Sequence, residues 1–353
     1  MKSSRREYLR RQRRRRRRVF YLGCLIFFII VAVLLGILIS RIRSTQSLPP
    51  DETSQAPAPV ESVSSDTSSE AYVDSSAPAA QDSENSVSLI RVPLGYELRQ
   101  MTEAELHEGN LILVNKSYEY VFPDDLQLTD MYDLAMQSGG YSVSGIDVRM
   151  QPEAAQAMDA MLTDFYYATG LDSLYIMCSY RSREESQELF DASVAENGLE
   201  HAQMYVMLPG FSEHHSALAA DLGIILEDGS YMNFVNEGSY SWIKEHCAEY
   251  GFILRYPEDK VDITEIGYES WHFRYLGVPN ATAVSATGLC YEEYIDFIKN
   301  YRAEGDHYAV TTADGSYEIY YAPGLQIAVP SDRPYEISGN NVDGFIITVS
   351  VDG

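Results

Sequence analysis

The chain has 353 residues and a formal net charge of −26, with 26 Lys and Arg residues against 52 Asp and Glu residues. Half of the basic residues lie in residues 1–43, so the rest of the chain carries 13 basic and 51 acidic residues, a formal net charge of −38. A domain this acidic is repelled by phosphate backbones and anionic lipid surfaces, which excludes nucleic acid as an expected partner.

The first 43 residues have the pattern of a membrane anchor. Residues 1–18 contain eleven basic side chains, and residues 19–40 form a run of 22 residues without a charge. A helix of that length spans a hydrocarbon core of about 30 Å. Because the positive charge lies mainly before this run, we predict a basic cytoplasmic tail (1–18), a single transmembrane anchor (19–40) in the cell membrane, and an extracytoplasmic remainder.

A cleaved signal peptide is the alternative reading of the same segment. The apolar run is longer than an ordinary signal-peptide core, and no Ala-x-Ala-like cleavage site directly follows it, so the uncleaved anchor is favoured. Residues 41–88 are rich in Ser, Pro, Ala, Asp and Glu and poor in large apolar side chains. That composition predicts a disordered linker between the anchor and a folded part.

Residues 89–304 are predicted to form the main folded domain. Hydrophobic spacing predicts strands at 111–114, 173–179, 219–226, 252–255 and 271–275, and helices at 152–169, 183–197, 240–250 and 291–302. This mixture favours an α+β fold in which helices pack on a central antiparallel sheet.

Residues 305–353 have a different pattern. Short β-rich runs alternate there with Asp-Gly, Pro-Gly and Asn-Asn turns, which predicts a small all-β C-terminal appendage that packs on the main domain. The three cysteines after the anchor, Cys178, Cys247 and Cys290, form no Cys-x-x-Cys pair. A zinc site built from cysteines is therefore not expected, and whether two of them form a disulfide stays open.

Two short segments carry the residue types of a metal site. His214 and Asp221 lie in the first segment, and Glu269 and His272 lie in the second. Two histidines and one aspartate would leave one of four zinc positions open, which is typical of catalytic rather than structural zinc. Glu269, three residues before His272, is then the candidate for proton transfer.

These segments resemble the VanY-type D-alanyl-D-alanine carboxypeptidases, a family within the superfamily of lysostaphin-like peptidases and hedgehog domains. The family pattern is Ser-x-His-x-x-Gly-x-Ala-x-Asp followed by Glu-x-x-His, which this chain matches at Ser212, His214, Ala219, Asp221, Glu269 and His272. The segment from Ser179 to Ser182, followed by Gln187, resembles the family's Tyr-Arg-Ser-x-x-x-x-Gln stretch. The resemblance covers about residues 92–302 and implies a D-Ala-D-Ala peptidase/hedgehog-like fold.

Two positions depart from the family pattern, and one histidine competes for the ligand role. Ala217 stands where the family has Gly, and Ser270 stands where it usually has Pro. The alanine would be strained if its φ is positive. His215 is an alternative ligand beside His214, but the spacing to Ser212 and Asp221 favours His214.

The resemblance implies one Zn²⁺ ion bound by His214, Asp221 and His272, with Glu269 as the catalytic acid and base. It also implies a substrate, the D-Ala-D-Ala end of a peptidoglycan stem peptide. A free terminal carboxylate needs a cation, and Arg181 is the best candidate because a guanidinium binds carboxylates bidentately. Ser212 is expected to share or line that pocket, and Gln187 is expected to support the Arg181 segment.

Other functions of the same scaffold remain open at this point. The chain is also compatible with an L,D-carboxypeptidase, a D,D-dipeptidase or a cross-link endopeptidase, because loops around the cleft set specificity. A non-catalytic, zinc-containing wall-binding module is a further alternative. The presence of Glu269 argues against that module, because a structural zinc does not need a neighbouring proton carrier.

Overall fold

The structure, a computed structural model, describes residues 92–352. The predicted cytoplasmic tail, the anchor at 19–40 and the linker at 41–88 lie outside the described residues. Within the described part of the chain, no helix is long and apolar enough to cross a membrane.

The described residues form 14 strands and eight α-helices. The strands are β1 Tyr96–Gln100, β2 Thr129–Asp130, β3 Ser142–Val143, β4 Arg149–Met150, β5 Leu174–Cys178, β6 Ala219–Ile225, β7 Tyr231–Asn233, β8 Phe252–Tyr256, β9 Glu269–Tyr275, β10 Tyr308–Thr312, β11 Gly315–Pro323, β12 Gln326–Pro330, β13 Tyr335–Gly339 and β14 Gly344–Ser350. The helices are α1 Met131–Ser138, α2 Pro152–Thr169, α3 Arg183–Asn197, α4 Leu199–Tyr205, α5 Ser241–His246, α6 Val261–Thr264, α7 Val278–Thr287 and α8 Tyr291–Ile298.

A six-stranded sheet forms the centre of the domain. Its order is β3-β5-β6-β9-β8, and β7 pairs with β6 beside this path. Only the β3–β5 pairing is parallel, and all other neighbours are antiparallel. The prediction of an α+β fold with helices on a mainly antiparallel sheet is therefore confirmed.

Helix α2 covers one face of this sheet, with the bounds that the sequence predicts. Pro152 opens it in the first turn, where the missing N–H costs no hydrogen bond. Its apolar residues Met158, Leu162 and Phe165 recur at helical spacing and are completely buried against the sheet. Gly170 ends the helix in the left-handed conformation, with φ of 74°.

Helix α3 also has its predicted bounds. Ser182 accepts a hydrogen bond from the backbone N–H of Glu185, and the Glu185 carboxylate accepts one from the N–H of Ser182. This reciprocal capping fixes where the helix begins. Helix α4 follows directly after Gly198 and was not predicted from the sequence.

Several predicted bounds are corrected by the structure. Residues 111–114 are buried as expected but form no strand. Their backbone groups make isolated hydrogen bonds, for example to Asn340 and Ser338, instead of a continuous ladder with a neighbouring strand. The helix predicted at 240–250 is divided into α5 and a 3-10 turn, Cys247–Tyr250. The last predicted helix ends at Ile298, before Arg302.

The C-terminal residues form a β-structure that is joined to the start of the described chain. Strands β10, β11, β14 and β13 make a four-stranded antiparallel sheet, whereas β12 pairs with β1. An apolar cluster connects this sheet to α7, α8 and the buried segment around Leu111 and Leu113. The all-β texture that the sequence predicts after residue 304 is therefore present.

Candidate active site

The first half of the site is a tight turn between α4 and β6. Residues Glu213–Ser216 form a 3-10 turn, and the Ser212 hydroxyl accepts a hydrogen bond from the backbone N–H of His214 at 3.4 Å. Ala217 ends the turn in the left-handed conformation, with φ of 56° and ψ of 21°. The family glycine position thus has the positive φ that favours glycine, and Ala217 carries that strain.

Asp221 and His272 are direct neighbours across the sheet. They are paired in the antiparallel register of β6 and β9, so their side chains lie on the same face. The Asp221 carboxylate lies between two imidazoles: one oxygen is 3.2 Å from His214 Nε2 and the other is 3.0 Å from His272 Nδ1. The turn and the sheet therefore bring the three predicted metal ligands together.

Each imidazole is held through its outer nitrogen. His214 Nδ1 lies 2.7 Å from the Ser179 carbonyl oxygen, and His272 Nε2 lies 3.1 Å from the Glu213 carboxylate. Both outer nitrogens therefore carry a proton, and His214 Nε2 and His272 Nδ1 are the nitrogens that face Asp221 and would bind a metal ion once unprotonated. This donor set, two imidazole nitrogens and one carboxylate, fits a divalent cation of the zinc type.

The electrostatics of the cluster favour a cation. Burial opposes the ionisation of Asp221, but the charges and hydrogen bonds of His214 and His272 outweigh it and hold the Asp221 pKa far below its usual range. Burial likewise opposes protonation of His214, and Asp221 overcomes it to raise the His214 pKa to about 10. A site that attracts protons this strongly attracts a metal ion for the same Coulombic reason.

Glu269 is the second carboxylate at the site. Its Oε2 lies 3.8 Å from His272 Nδ1, and the residue is 6% exposed. Strict strand alternation would place residues 269 and 272 on opposite faces, but the β8–β9 register shifts between Leu254 and Tyr256 and brings them together. Burial raises the pKa of Glu269 to about 7, in the range suited to a general base and acid.

A chain of buried charges lies behind His272, and the sequence motifs did not predict it. Glu213 accepts from Arg255 Nε at 2.7 Å and lies 3.8 Å from Arg274, while Arg255 also donates to Glu292 at 2.8 Å. Burial opposes ionisation of Glu213, but the two arginines outweigh it and keep the pKa of Glu213 well below its usual range. Glu213 is therefore an anion that orients His272, although its sequence neighbours gave no sign of this role.

The structure does not bring all three predicted substrate-binding residues, Arg181, Ser212 and Gln187, to the predicted metal ligands. A cavity of about 130 Å³ is lined by the metal ligands and Glu269, and Arg181 and Ser212 lie on its wall. Gln187 lies outside it: the side chain is exposed on α3 and donates to Asp191 at 2.9 Å. The structure therefore brings Arg181 and Ser212 to the site and leaves Gln187 away from it.

His215 points away from the cluster. Its Nδ1 donates to the Arg181 carbonyl oxygen at 2.7 Å, and its Nε2 accepts from the Gly210 N–H at 2.9 Å. Both ring nitrogens are therefore bonded to backbone, and His214 is the histidine of this pair that faces Asp221.

The α+β fold presents two histidines and an aspartate beside a buried glutamate. This arrangement defines a metal-dependent hydrolase. The sequence profile of the VanY family, described as D-alanyl-D-alanine carboxypeptidase, matches residues 147–278. A D-alanyl-D-alanine carboxypeptidase from Enterococcus faecium is 36% identical over 258 residues, which cover 71% of this chain and 78% of that protein. The chain therefore belongs to the VanY family, as its motifs predict.

Two further relatives agree with this family assignment. The bifunctional D-Ala-D-Ala dipeptidase and D-Ala-D-Ala carboxypeptidase VanXYC from Enterococcus gallinarum is 38% identical over 156 residues, covering 43% of this chain and 80% of that protein. The crystal structure of the vancomycin resistance D,D-dipeptidase VanXYg, in complex with a D-Ala-D-Ala phosphinate analog, superposes with a TM-score of 0.64 at 31% identity. That comparison covers 72% of this chain and 99% of VanXYg.

Proposed function

We propose that this chain is a zinc-dependent D-alanyl-D-alanine carboxypeptidase that removes the terminal D-alanine from peptidoglycan stem peptides. The observation that carries the proposal is the convergence of His214 Nε2 and His272 Nδ1 on Asp221, with Glu269 buried beside them. The Enterococcus faecium relative named for this activity supports the substrate class.

His214, Asp221 and His272 would hold the metal ion. When bound, Zn²⁺ polarises the carbonyl oxygen of the scissile bond and lowers the pKa of water at the site. The residues of the chain supply the fixed geometry: Ser179 holds His214 and Glu213 holds His272, each through the outer nitrogen. Little reorganisation is then needed when the ion binds.

Glu269 would handle the proton. Its carboxylate accepts a proton from the attacking water and passes it to the departing amine of D-alanine. Because Glu269 is buried in a cavity that Tyr256 and Trp271 also line, its charge is weakly screened by bulk water. A divalent cation at the three ligands would lower the pKa of Glu269 from its raised value and favour the base form.

Arg181 would bind the terminal carboxylate of the substrate. Within residues 92–352, no carboxylate lies within ion-pair distance of its guanidinium, although the side chain lines the catalytic cavity. A guanidinium without an acidic partner is complementary to a substrate that ends in a carboxylate. Ser212 would contribute mainly by holding the turn that presents His214.

Replacing the proton carrier tests this mechanism. In Glu269→Ala, turnover of a stem pentapeptide should fall by about 10²-fold or more, the range typical of general acid–base groups, while the bound zinc is retained. The exposed Glu258→Ala serves as the matched control and should leave turnover unchanged. Unaltered turnover in Glu269→Ala, with zinc confirmed by elemental analysis, would rule out the proposed role.

A dipeptidase is the second candidate, and the similarity to bifunctional VanXYC favours including it. Pentapeptide, tetrapeptide and free D-Ala-D-Ala should be compared under identical conditions. Release of one D-alanine from the pentapeptide alone fits the carboxypeptidase. Preference for the dipeptide would assign a D,D-dipeptidase instead, and preference for the tetrapeptide an L,D-carboxypeptidase.

We further propose that the catalytic domain is extracytoplasmic and attached to the cell membrane through residues 19–40. The uncharged run of 22 residues after eleven basic side chains supports this topology. The intact chain should resist alkaline extraction from membranes, and a chain without residues 1–43 should not pellet with them. A mature protein whose mass shows loss of the N-terminal segment would instead indicate a cleaved signal peptide.

A further inference from the structure

Cys178 lies between a metal ligand and the carboxylate-binding arginine. It ends β5 and is paired with Asp221 in the β5–β6 register. Its sulfur is 3.9 Å from His214 Nδ1 and accepts a hydrogen bond from the Arg181 guanidinium at 3.1 Å. The thiol is half-buried, whereas Cys247 and Cys290 are buried, and all three are free.

The geometry argues against Cys178 as a metal ligand. The donor atoms of Cys178, His214 and Asp221 lie within 4.8 Å of one another, which would suit a metal ion by distance alone. However, Cys178 faces Nδ1 of His214, and the Ser179 carbonyl already binds that nitrogen at 2.7 Å. The His214 nitrogen that faces the predicted metal position is Nε2, which lies 3.2 Å from Asp221. The role of this thiol must therefore be sought on its other side, at Arg181.

Arg181 has a fixed backbone and a single side-chain partner. Its N–H donates to the His214 carbonyl oxygen at 3.1 Å, and its own carbonyl oxygen accepts from His215 Nδ1 at 2.7 Å. In the described part of the chain, the Cys178 sulfur is the only hydrogen-bond acceptor of the guanidinium. The direction of this long, flexible side chain therefore depends on one contact.

Arg181 lines two cavities. One is the catalytic cavity of about 130 Å³, and the other is a cavity of about 270 Å³ that Ser144, Asp147 and Cys178 also line. Leu189 lines both cavities as well. A substrate peptide that continued past the metal ligands toward the larger cavity would collide with the guanidinium. A substrate peptide that ended at the guanidinium would place its terminal carboxylate beside a cationic partner.

We propose that Cys178 is a positioning residue that holds Arg181 on the wall of the catalytic cavity and thereby restricts the enzyme to substrates with a free terminal carboxylate. The inference rests on the proposed carboxylate-binding role of Arg181. A sulfur or hydroxyl oxygen at position 178 accepts the guanidinium hydrogen bond, and an apolar side chain does not. The role therefore predicts opposite results for a substitution that removes the acceptor and one that keeps it.

The test compares two substrates on the zinc-loaded, full-length chain in detergent: a stem pentapeptide with a free C-terminal carboxylate, and the same peptide as its C-terminal amide. Cys178→Val removes the acceptor and is larger by one methyl group, and Cys178→Ser keeps an acceptor in a slightly smaller side chain. Cys247→Ala removes a buried thiol that lines neither cavity and is the control for thiol loss.

We expect Cys178→Val to raise KM for the acid about tenfold, the size of one lost hydrogen bond to a charged group, with a smaller change in kcat. Its preference for acid over amide should fall by the same factor. Cys178→Ser should restore most of this preference, and Cys247→Ala should retain it. If Cys178→Val does not fold, Cys178→Ala gives the same comparison with a smaller side chain.

Three other results would overturn the inference. If Cys178→Val and Cys178→Ala keep the acid preference while Arg181→Lys loses it, the arginine binds the carboxylate without help from the thiol. A fall in kcat with unchanged KM would mean that Cys178 acts through His214 instead. If Arg181→Lys also keeps the preference, the assignment of Arg181 itself fails, while the metal site and Glu269 are unaffected.

Discussion

At the scale of single residues, the proposed metal ligand His272 is positioned by charges that lie out of contact with solvent. Glu213, Arg255 and Arg274 are each at most 1% exposed, and Glu213 binds both the imidazole and the arginines. A buried carboxylate without its arginines would lose its charge, and His272 would lose the acceptor that fixes its tautomer. Glu213 therefore belongs to the metal site although it does not contact the ion position.

Glu213→Gln should weaken zinc binding by about 10–100-fold, the usual effect of losing a carboxylate that supports a histidine ligand. The amide is isosteric, and Arg255 keeps Glu292 as a partner, so the chain should still fold. Competition with a chromogenic chelator measures the affinity.

The control for Glu213→Gln is Glu292→Gln. Glu292 is the other carboxylate that binds Arg255, and it does not contact His272. Its zinc affinity should stay close to that of the wild type. Equal affinities for wild type and Glu213→Gln would mean that the buried carboxylate has no part in holding the metal.

Ala217 gives a second residue-scale prediction, on stability. A left-handed conformation costs an L-residue about 1–2 kcal/mol, and a β-branched side chain is tolerated least. Ala217→Val should therefore lower the free energy of unfolding by about 2 kcal/mol or more. Ala217→Gly should stay within about 1 kcal/mol of the wild type, because relief of strain offsets the lost methyl burial and the added chain entropy. Urea unfolding measures the free energy of unfolding of both variants, with the slope of that free energy against urea concentration unchanged from the wild type. Equal stability of the two variants would contradict backbone strain at Ala217.

At the scale of elements, the sequence predicts the parts of the site that local patterns specify. Helices α2 and α3 have clear stops and caps, and both begin and end where predicted. The ligand candidates His214, Asp221 and His272 follow from motif spacing, and the register of β6 and β9 brings the last two side by side.

The parts that the sequence did not predict depend on distant contacts. Arg255 is 42 residues from Glu213, and no local pattern connects them. Residues 111–114 have the composition of a strand, but the Ile112 carbonyl accepts from the Arg274 guanidinium and the Leu113 carbonyl accepts from the Asn341 side chain, rather than from a neighbouring strand. The short helix α1 has only eight residues, too few for a clear hydrophobic period.

The last residue of helix α4, Tyr205, lines the catalytic cavity, and its ring lies close to Gly267. A Cβ added at Gly267 would lie 2.5 Å from the ring of Tyr205, which is on α4 and lines the cavity. Gly267→Ala should therefore displace the Tyr205 ring, which is 45% exposed and free to rotate, lower the free energy of unfolding by about 1 kcal/mol and raise KM.

A double-mutant cycle isolates this contact. In a Tyr205→Ala background, Gly267→Ala should cost much less, because the ring that it strikes is gone. Urea unfolding of the four proteins measures the coupling. Strictly additive effects would show that Gly267 is needed for a reason other than the Tyr205 ring.

At the scale of the whole molecule, the C-terminal β-structure is joined to residues that precede the site. Strand β12 pairs with β1 along five residues, and Ile319 and Ile346 share an apolar cluster with Leu111 and Leu113. The same N-terminal segment is bound by Arg274, the arginine beside Glu213. The C-terminal residues therefore support the buried side of the active site.

A chain ending at residue 304 should consequently lose cooperative unfolding, because β1 would lack its partner and the apolar cluster would be opened to water. Near-UV circular dichroism and a urea titration measure this. A matched deletion of residues 1–43 should leave the cooperative transition intact. A soluble 304-residue chain with a sharp transition would show that the main domain folds without its C-terminal strands.

A metal-dependent carboxypeptidase releases D-alanine only while its metal ion is bound. The full-length chain is incubated with a stem pentapeptide ending in D-Ala-D-Ala, with and without a zinc chelator, and free D-alanine is counted per peptide. We expect one D-alanine per peptide, loss of release with the chelator, and recovery when Zn²⁺ is added back. Undiminished release from a chain shown to be free of metal, or no release from a folded chain that contains zinc, would contradict the proposed function.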